Sequence, residues 1–216
     1  MRCGVAWQTC EFTLTGTDYI TIIAEAGVNH NGSTELARQL VDAAVAAGAD
    51  IIKFQTFTAE KVATPDAPKA AYQEETTGRE ESQLEMLRAL ELSADAHREL
   101  FAYCHVRGIE FLSTPFDADN VDLLIKLGVA RIKIPSGDIT NGPLLFRAGQ
   151  TGLPLIISTG MATLPEIEAA LGVAALGHLG ATDKDRTPDS FSSALHSEAG
   201  QAYLQGNVTL LHCTTE

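Results

Sequence analysis

No run of about 18 apolar residues occurs anywhere in this 216-residue chain, which excludes a membrane-spanning helix on length alone. The first sixteen residues, MRCGVAWQTCEFTLTG, hold no basic run followed by an apolar segment, so no secretory leader is expected and the expected compartment is the cytoplasm. Basic charge is scarce as well. Fifteen Lys and Arg stand against 28 Asp and Glu, and the net charge of -13 repels phosphate backbones and anionic headgroups. Neither nucleic acid nor a membrane is expected as a partner. The four cysteines, Cys3, Cys10, Cys104 and Cys213, show no C-x-x-C spacing, which fits reduced thiols better than a disulfide framework or a zinc site. No G-x-G-x-x-G or Walker A sequence is present, and no histidine belongs to an H-x-x-x-H pair.

What is present is a repeated junction. Ala47-Gly48-Ala49-Asp50-Ile51-Ile52-Lys53 recurs in kind at Gly108, Gly128 and Gly152: a helix ends on a left-handed glycine, a very short loop follows, then an apolar strand begins. Strands without strict polar alternation have both faces covered, as in a parallel sheet of βα units, so the fold class is α/β. Ser33 is positioned to cap a helix over 34–47, Ser93 one over 94–107, Asp117 or Asp119 one through Leu127, and Thr163 one over 164–178. The strands fall near 20–25, 50–56, 110–114, 130–135, 154–159 and 207–213. Every one of these strands ends in polar, chemically capable residues. Only a barrel gathers all its strand ends round one opening, so the spacing predicts a TIM (β/α) barrel, cut short after about the sixth strand. Residues 1–18 form an unmatched extension, 19–216 a partial barrel domain, 57–80 a long lid-like connection, and 180–206 a polar surface insertion.

Lys53 and Lys133 stand near strand ends inside apolar runs, and together they predict a local trap for a phosphate or carboxylate despite the acidic chain. Ser113, Thr114, Ser136 and Ser158-Thr159-Gly160 add hydroxyls and helix N-terminal N–H groups to that cradle, although each alone suits a plain helix cap. Glu25 is suited to proton transfer or to orienting water, with Asp138 as a partner or as a brace for the helix near Asn141. Gln55 suits a sugar hydroxyl or amide. His30 and His212 fall at the expected rim, His97, His105, His178 and His196 on helix or surface positions, and Cys213 reads as a buried thiol.

The runs Ile22-Ile23-Ala24-Glu25-Ala26-Gly27-Val28-Asn29-His30-Asn31-Gly32, Lys53-Phe54-Gln55-Thr56, Phe111-Leu112-Ser113-Thr114-Pro115-Phe116-Asp117, Lys133-Ile134-Pro135-Ser136-Gly137-Asp138, Ser158-Thr159-Gly160-Met161 and Leu210-Leu211-His212-Cys213-Thr214 together resemble the sialic acid synthase family, with its legionaminate, pseudaminate and spore-coat polysaccharide relatives. The resemblance implies a cytoplasmic transferase of sialic acid biosynthesis that condenses phosphoenolpyruvate with an N-acetylated aminosugar aldehyde such as N-acetylmannosamine. By motif it assigns Lys53, Thr114, Lys133, Ser136 and Ser158 to phosphoenolpyruvate, Gln55 to the sugar, and catalytic roles to Glu25 and Asp138. It further implies a divalent metal, manganese or magnesium, a homodimer, and a C-terminal antifreeze-like domain. Position 138 is commonly Glu in the family, the histidine motifs that hold its metal are missing from this chain, and the antifreeze-like domain is absent. The alternative is a non-catalytic truncated paralogue that binds phosphoenolpyruvate or a complete subunit.

Overall fold

The computed structural model describes residues 20–65, 67 and 82–214; the N-terminal extension and most of the 57–80 connection lie outside the described residues. Six strands alternate with helices: β1 (Ile23–Gly27), α1 (Thr34–Ala46), β2 (Ile51–Thr56), α2 (Ala59–Val62), α3 (Gln83–Leu90), α4 (Ala94–Arg107), β3 (Glu110–Pro115), α5 (Ala118–Leu127), β4 (Ile132–Ile134), a 3-10 turn at Ser136–Asp138, α6 (Gly142–Gln150), β5 (Leu155–Ser158), α7 (Leu164–His178), a second 3-10 turn at Asp183–Asp185, α8 (Pro188–His196), α9 (Glu198–Asn207) and β6 (Val208–Leu211). The stretch 180–206 thus carries two helices, and Ala194, Tyr203 and Leu204 bury their side chains in the main core. Among the described residues no helix is long and apolar enough to cross a membrane.

The local signals act where they stand. The side chains of Ser33, Ser93, Asp117 and Thr163 accept N–H bonds in the first turns of α1, α4, α5 and α7, satisfying donors that the helix itself leaves orphaned. Gly48, Gly108, Gly128 and Gly152 take φ between 68° and 86°, the left-handed turn that drops the chain from each helix into the next strand.

The strands form two three-stranded parallel sheets, ordered β1-β2-β3 and β4-β5-β6, so neighbours in space are neighbours in sequence. β3 and β4 lie side by side without joining in one ladder. Arg131, entering β4, makes a bidentate ion pair with Glu110, at 2.7 and 3.0 Å, and so clamps the seam between the two sheets. The expected arc of barrel strands is therefore two parallel sheets with a pinned seam.

Strand periodicity divides the side chains between two faces. Ile52, Phe54, Phe111, Ile132, Ile134, Leu155 and Ile157 pack with the helices in the large core. On the opposite face, Ile51 and Leu112 of the first sheet form one apolar cluster with Ile156 of the second, flanked by Ile23 and Leu211. That shared cluster means the two sheets curve round a common interior.

Polar groups on the helix side are satisfied in a buried chain. The Thr56 hydroxyl lies 2.6 Å from that of Ser113 and 2.9 Å from Nε2 of His97, whose Nδ1 lies 3.0 Å from the Ser93 carbonyl oxygen. A carbonyl can only accept, so Nδ1 carries the proton, Nε2 accepts from Thr56, and Thr56 accepts from Ser113. His30, fully buried beside Phe54, accepts the Gly32 N–H at Nδ1, and its Nε2 has no partner among the described residues. Burial lowers the pKa of both imidazoles; His97 lowers that of His30 further, while backbone hydrogen bonds partly offset the effect at His97. His30 therefore belongs behind the strands and not on the expected rim.

The outer helices approach through glycines. A Cβ on Gly149 of α6 would stand 2.1 Å from the Ala174 carbonyl oxygen of α7, and one on Gly177 of α7 would stand 2.3 Å from the Phe146 carbonyl oxygen of α6. Alanine normally gains about 1 kcal/mol over glycine inside a helix, but overpacking against backbone costs about 1–3 kcal/mol. Gly149→Ala should therefore lower unfolding stability by roughly 1–2 kcal/mol in urea titrations; a gain in stability would show that α6 and α7 do not touch this closely.

The histidines predict an acid-side loss. Both fold as neutral groups, so their contribution is complete above the ordinary imidazole value of 6.5 and declines as the pH falls below it through the lowered folded values. Thermal melts should show a lower midpoint at about pH 5.5 than at about pH 7.5, and His97→Gln should flatten that difference. Equal midpoints in the wild-type chain would contradict the buried neutral pair.

Candidate active site

The interior face changes character along the strands, with apolar residues at its base and polar ones toward the C-terminal ends. In the register of the ladders, Glu25 stands opposite Lys53, Gln55 opposite Thr114, and Lys133 opposite Ile156, while Ser158 lies two residues beyond Ile156 on the same face. Glu25, Lys53, Gln55, Thr114, Lys133 and Ser158 consequently share the face that carries the Ile51, Leu112 and Ile156 cluster. Neighbouring ladder positions put Ser113 on the other face, where its hydroxyl serves Thr56. Of the two hydroxyls expected at this strand end, Thr114 alone points to the interior.

β1 departs from regular pairing where it enters the site. Its register with β2 slips between Glu25 and Gly27, and Gly27 takes a φ of 53°. A Cβ there would stand 3.2 Å from a carboxylate oxygen of Glu25 and 3.8 Å from the amide nitrogen of Gln55. The bulge thus brings backbone close against two expected functional side chains, an approach glycine permits.

The charges are arranged unequally. Lys53 pairs with Glu25, whose side chain is 55% exposed, so solvent screens the pair. Lys133, 7% exposed, donates to the backbone carbonyl of Ile134 at 2.8 Å and forms no ion pair with a carboxylate of the described residues. Burial and the nearby Lys53 charge push its pKa down to about 8, against weaker opposing pulls from Cys213 and Glu25. The Thr114 hydroxyl, 2% exposed, has no hydrogen-bond partner among the described residues. Lys133 and the Thr114 hydroxyl thus share the interior face, each buried and each without a side-chain partner among the described residues.

The remaining expected residues occupy the surroundings. Ser136 and Asp138 lie half-buried in the 3-10 turn after β4. One oxygen of Asp138 accepts from the Asn141 amide at 3.1 Å, and Asn141 in turn caps α6, so this carboxylate is tied to the helix start. Thr159 spends both its N–H and its hydroxyl on the Leu211 carbonyl, holding β5 to β6. His212 is exposed after β6. Cys213 is half-buried and close enough to act on Lys133. It falls two residues beyond Leu211, on the interior parity of β6, and that alternation is the signal by which the sequence could have placed it at the site. Among the described residues no group of three or more His, Cys, Asp and Glu side chains could hold a metal ion. The described residues here do not by themselves make a metal centre.

Comparison with known proteins locates this arrangement in a family. Residues 40–216 match the NeuB family. The chain is 47% identical over 195 residues to the N,N'-diacetyllegionaminic acid synthase of Campylobacter jejuni, covering 90% of this chain and 51% of that protein. It is 52% identical over 150 residues to the enzyme of the same name from Legionella pneumophila, covering 69% of this chain and 42% of that one. The chain thus spans about half the length of the curated relatives it matches. Among solved structures, an N-acetylneuraminic acid synthetase from Leptospira borgpetersenii in complex with citrate superposes with a TM-score of 0.67 at 29% identity, over 92% of this chain and 55% of that one. The spore coat polysaccharide biosynthesis protein SpsE of Bacillus subtilis gives 0.63 at 26% identity, over 97% and 48%. With residues 40–216 matched by the family and relatives 47% and 52% identical to it, the chain belongs to the NeuB family, among whose members stand the legionaminic acid synthases.

Proposed function

We propose that this chain serves a nonulosonate synthase, in the condensation of phosphoenolpyruvate with an N-acetylated aminosugar aldehyde to give a sialic-acid-type keto acid and inorganic phosphate. The observation that carries the reading is the buried Lys133 ammonium, without a carboxylate partner among the described residues, facing the same interior as Lys53 and the Thr114 hydroxyl, itself unpartnered among those residues. Phosphoenolpyruvate presents a carboxylate and a phosphate, and two cations from separate strands can grip both. Thr114 and Ser158 donate to its oxygens from neighbouring strand ends, with Ser136 approaching from the turn after β4.

The chemistry then follows from charge. The enolpyruvate methylene carbon attacks the aldehyde carbon, and positive character develops at the carbon bearing the phosphate oxygen. Water adds there and phosphate leaves, so one water is consumed for each keto acid formed. Glu25, held by the bulge beside Lys53, orients that water and accepts its proton, and Asp138 is the second carboxylate near the reacting end. Gln55, adjacent to the Gly27 backbone, meets the sugar. The diacetyl names of the relatives suggest the sugar class: the three carbons from phosphoenolpyruvate bring no amide, so an aldehyde leading to such a product carries both acetamido groups. The complete enzyme is read as a homodimer that uses a divalent metal, as the family resemblance implies.

The test is calorimetric titration of phosphoenolpyruvate into the chain, alongside phosphate release with N-acetylmannosamine or a diacetamido relative and manganese. Lys53→Ala and Lys133→Ala should each weaken phosphoenolpyruvate binding roughly tenfold or more, and Thr114→Val about threefold. Unchanged affinity in both lysine variants would overturn the assignment. Binding without phosphate release would favour the truncated, non-catalytic alternative for this polypeptide alone.

A further inference from the structure

Lys133 and Lys53 differ in a way that anion binding does not require. Lys53 has its charge answered by Glu25, whereas among the described residues the Lys133 amine donates to one group, the Ile134 carbonyl. A neutral amine can donate one N–H to that carbonyl and still present a lone pair, while an ammonium has none to offer. The ionisable groups that act on it are Lys53 from β2, Glu25 from β1 and Cys213 from the segment after β6. A buried amine near a second cation is the setting in which lysine becomes a nucleophile toward carbonyls.

We propose that Lys133 condenses with α-keto acids: its Nζ attacks the ketone carbon to form a Schiff base, while Lys53 holds the keto acid's carboxylate and Glu25 relays the proton. The new C–N bond forms as the carbonyl π bond opens. The two amine hydrogens leave with the carbonyl oxygen as water, so no oxidant or reductant is consumed. Thr114 supplies a hydroxyl on the same face, unpartnered among the described residues, to steady the developing alkoxide. The inference stands apart from the synthase reaction, because phosphoenolpyruvate is an enol ester with no free carbonyl. It extends the ligand class of the site to pyruvate-like keto acids, the chemical class to which a nonulosonate product also belongs.

Borohydride trapping decides the matter. The full chain is incubated with pyruvate, reduced, and analysed by intact mass and peptide mapping. One reduced pyruvyl group is expected on the Lys133 peptide. Since burial holds this amine to a pKa of about 8, its initial labelling should be severalfold faster at about pH 9 than at about pH 7. Lys133→Arg keeps the charge and Lys133→Met keeps much of the packing; whichever retains a wild-type circular dichroism spectrum should lose the adduct. Lys53→Met should slow labelling roughly tenfold by removing the carboxylate's cation. No adduct in the wild-type chain, or an adduct undiminished in the Lys133 variants, would overturn the inference. Phosphoenolpyruvate affinity measured on the same preparation separates the two proposals: binding without trapping defeats only the Schiff base, and trapping without binding defeats only the phosphoenolpyruvate assignment.

Discussion

The buried amine of Lys133 is the constraint on which the site depends. Moving an ammonium out of water costs several kcal/mol unless charge or hydrogen bonds compensate. Here compensation within the described residues is one carbonyl oxygen and the weaker pulls of Cys213 and Glu25, and the neighbouring lysine adds repulsion. A protein maintains such an arrangement only if the rest of the fold fixes it. The fixing elements are the β4–β5 ladder, which sets Lys133 opposite Ile156, and the Arg131–Glu110 clamp at the seam just below it. The proposed function builds on that imbalance: a ligand carrying negative charge would offset a cost that the folded chain already bears.

The same alternation that buries Lys133 sorts every other side chain at the strand ends. Thr56 and Ser113 turn toward the helices and are satisfied there, in a chain that ends on the Ser93 carbonyl. Thr114, one residue along, turns inward, and its hydroxyl has no partner among the described residues. Stability and binding are thus divided between the two faces of the same strands. The helix face holds aromatic packing among Phe54, Phe101 and Phe111 and two neutral histidines; the interior face holds the charges.

Much of this was legible in the sequence because its determinants are local. The helix starts at Ser33, Ser93, Asp117 and Thr163 and the four left-handed glycines depend on residues within one turn of themselves, and all occur where the pattern places them. That Glu25, Lys53 and Lys133 share one face was legible from their strand positions, and the ladders place them so. Less legible was whatever depends on parity or on contacts between distant segments. Ser113 beside Thr114 cannot be assigned to a face until the register is known, and His30 follows a bulge that breaks simple counting. Cys213 looked like a core thiol because β6 is apolar, yet it stands near the Lys133 amine. The 180–206 stretch reads as polar surface because the glycines and the few apolar side chains that seat α8 and α9 on α7 make a thin signal: Gly172 against Phe191, and His178 stacked on Tyr203.

The most direct measurement of the central claim is nitrogen-detected NMR titration of the lysine side chains, with and without phosphoenolpyruvate. In the free chain the Lys133 amine should titrate near the value of about 8 set by burial and by Lys53, and saturating phosphoenolpyruvate should raise that value as the ligand's charge answers the ammonium. A Lys133 that titrates like an ordinary surface lysine, indifferent to the ligand, would contradict the account.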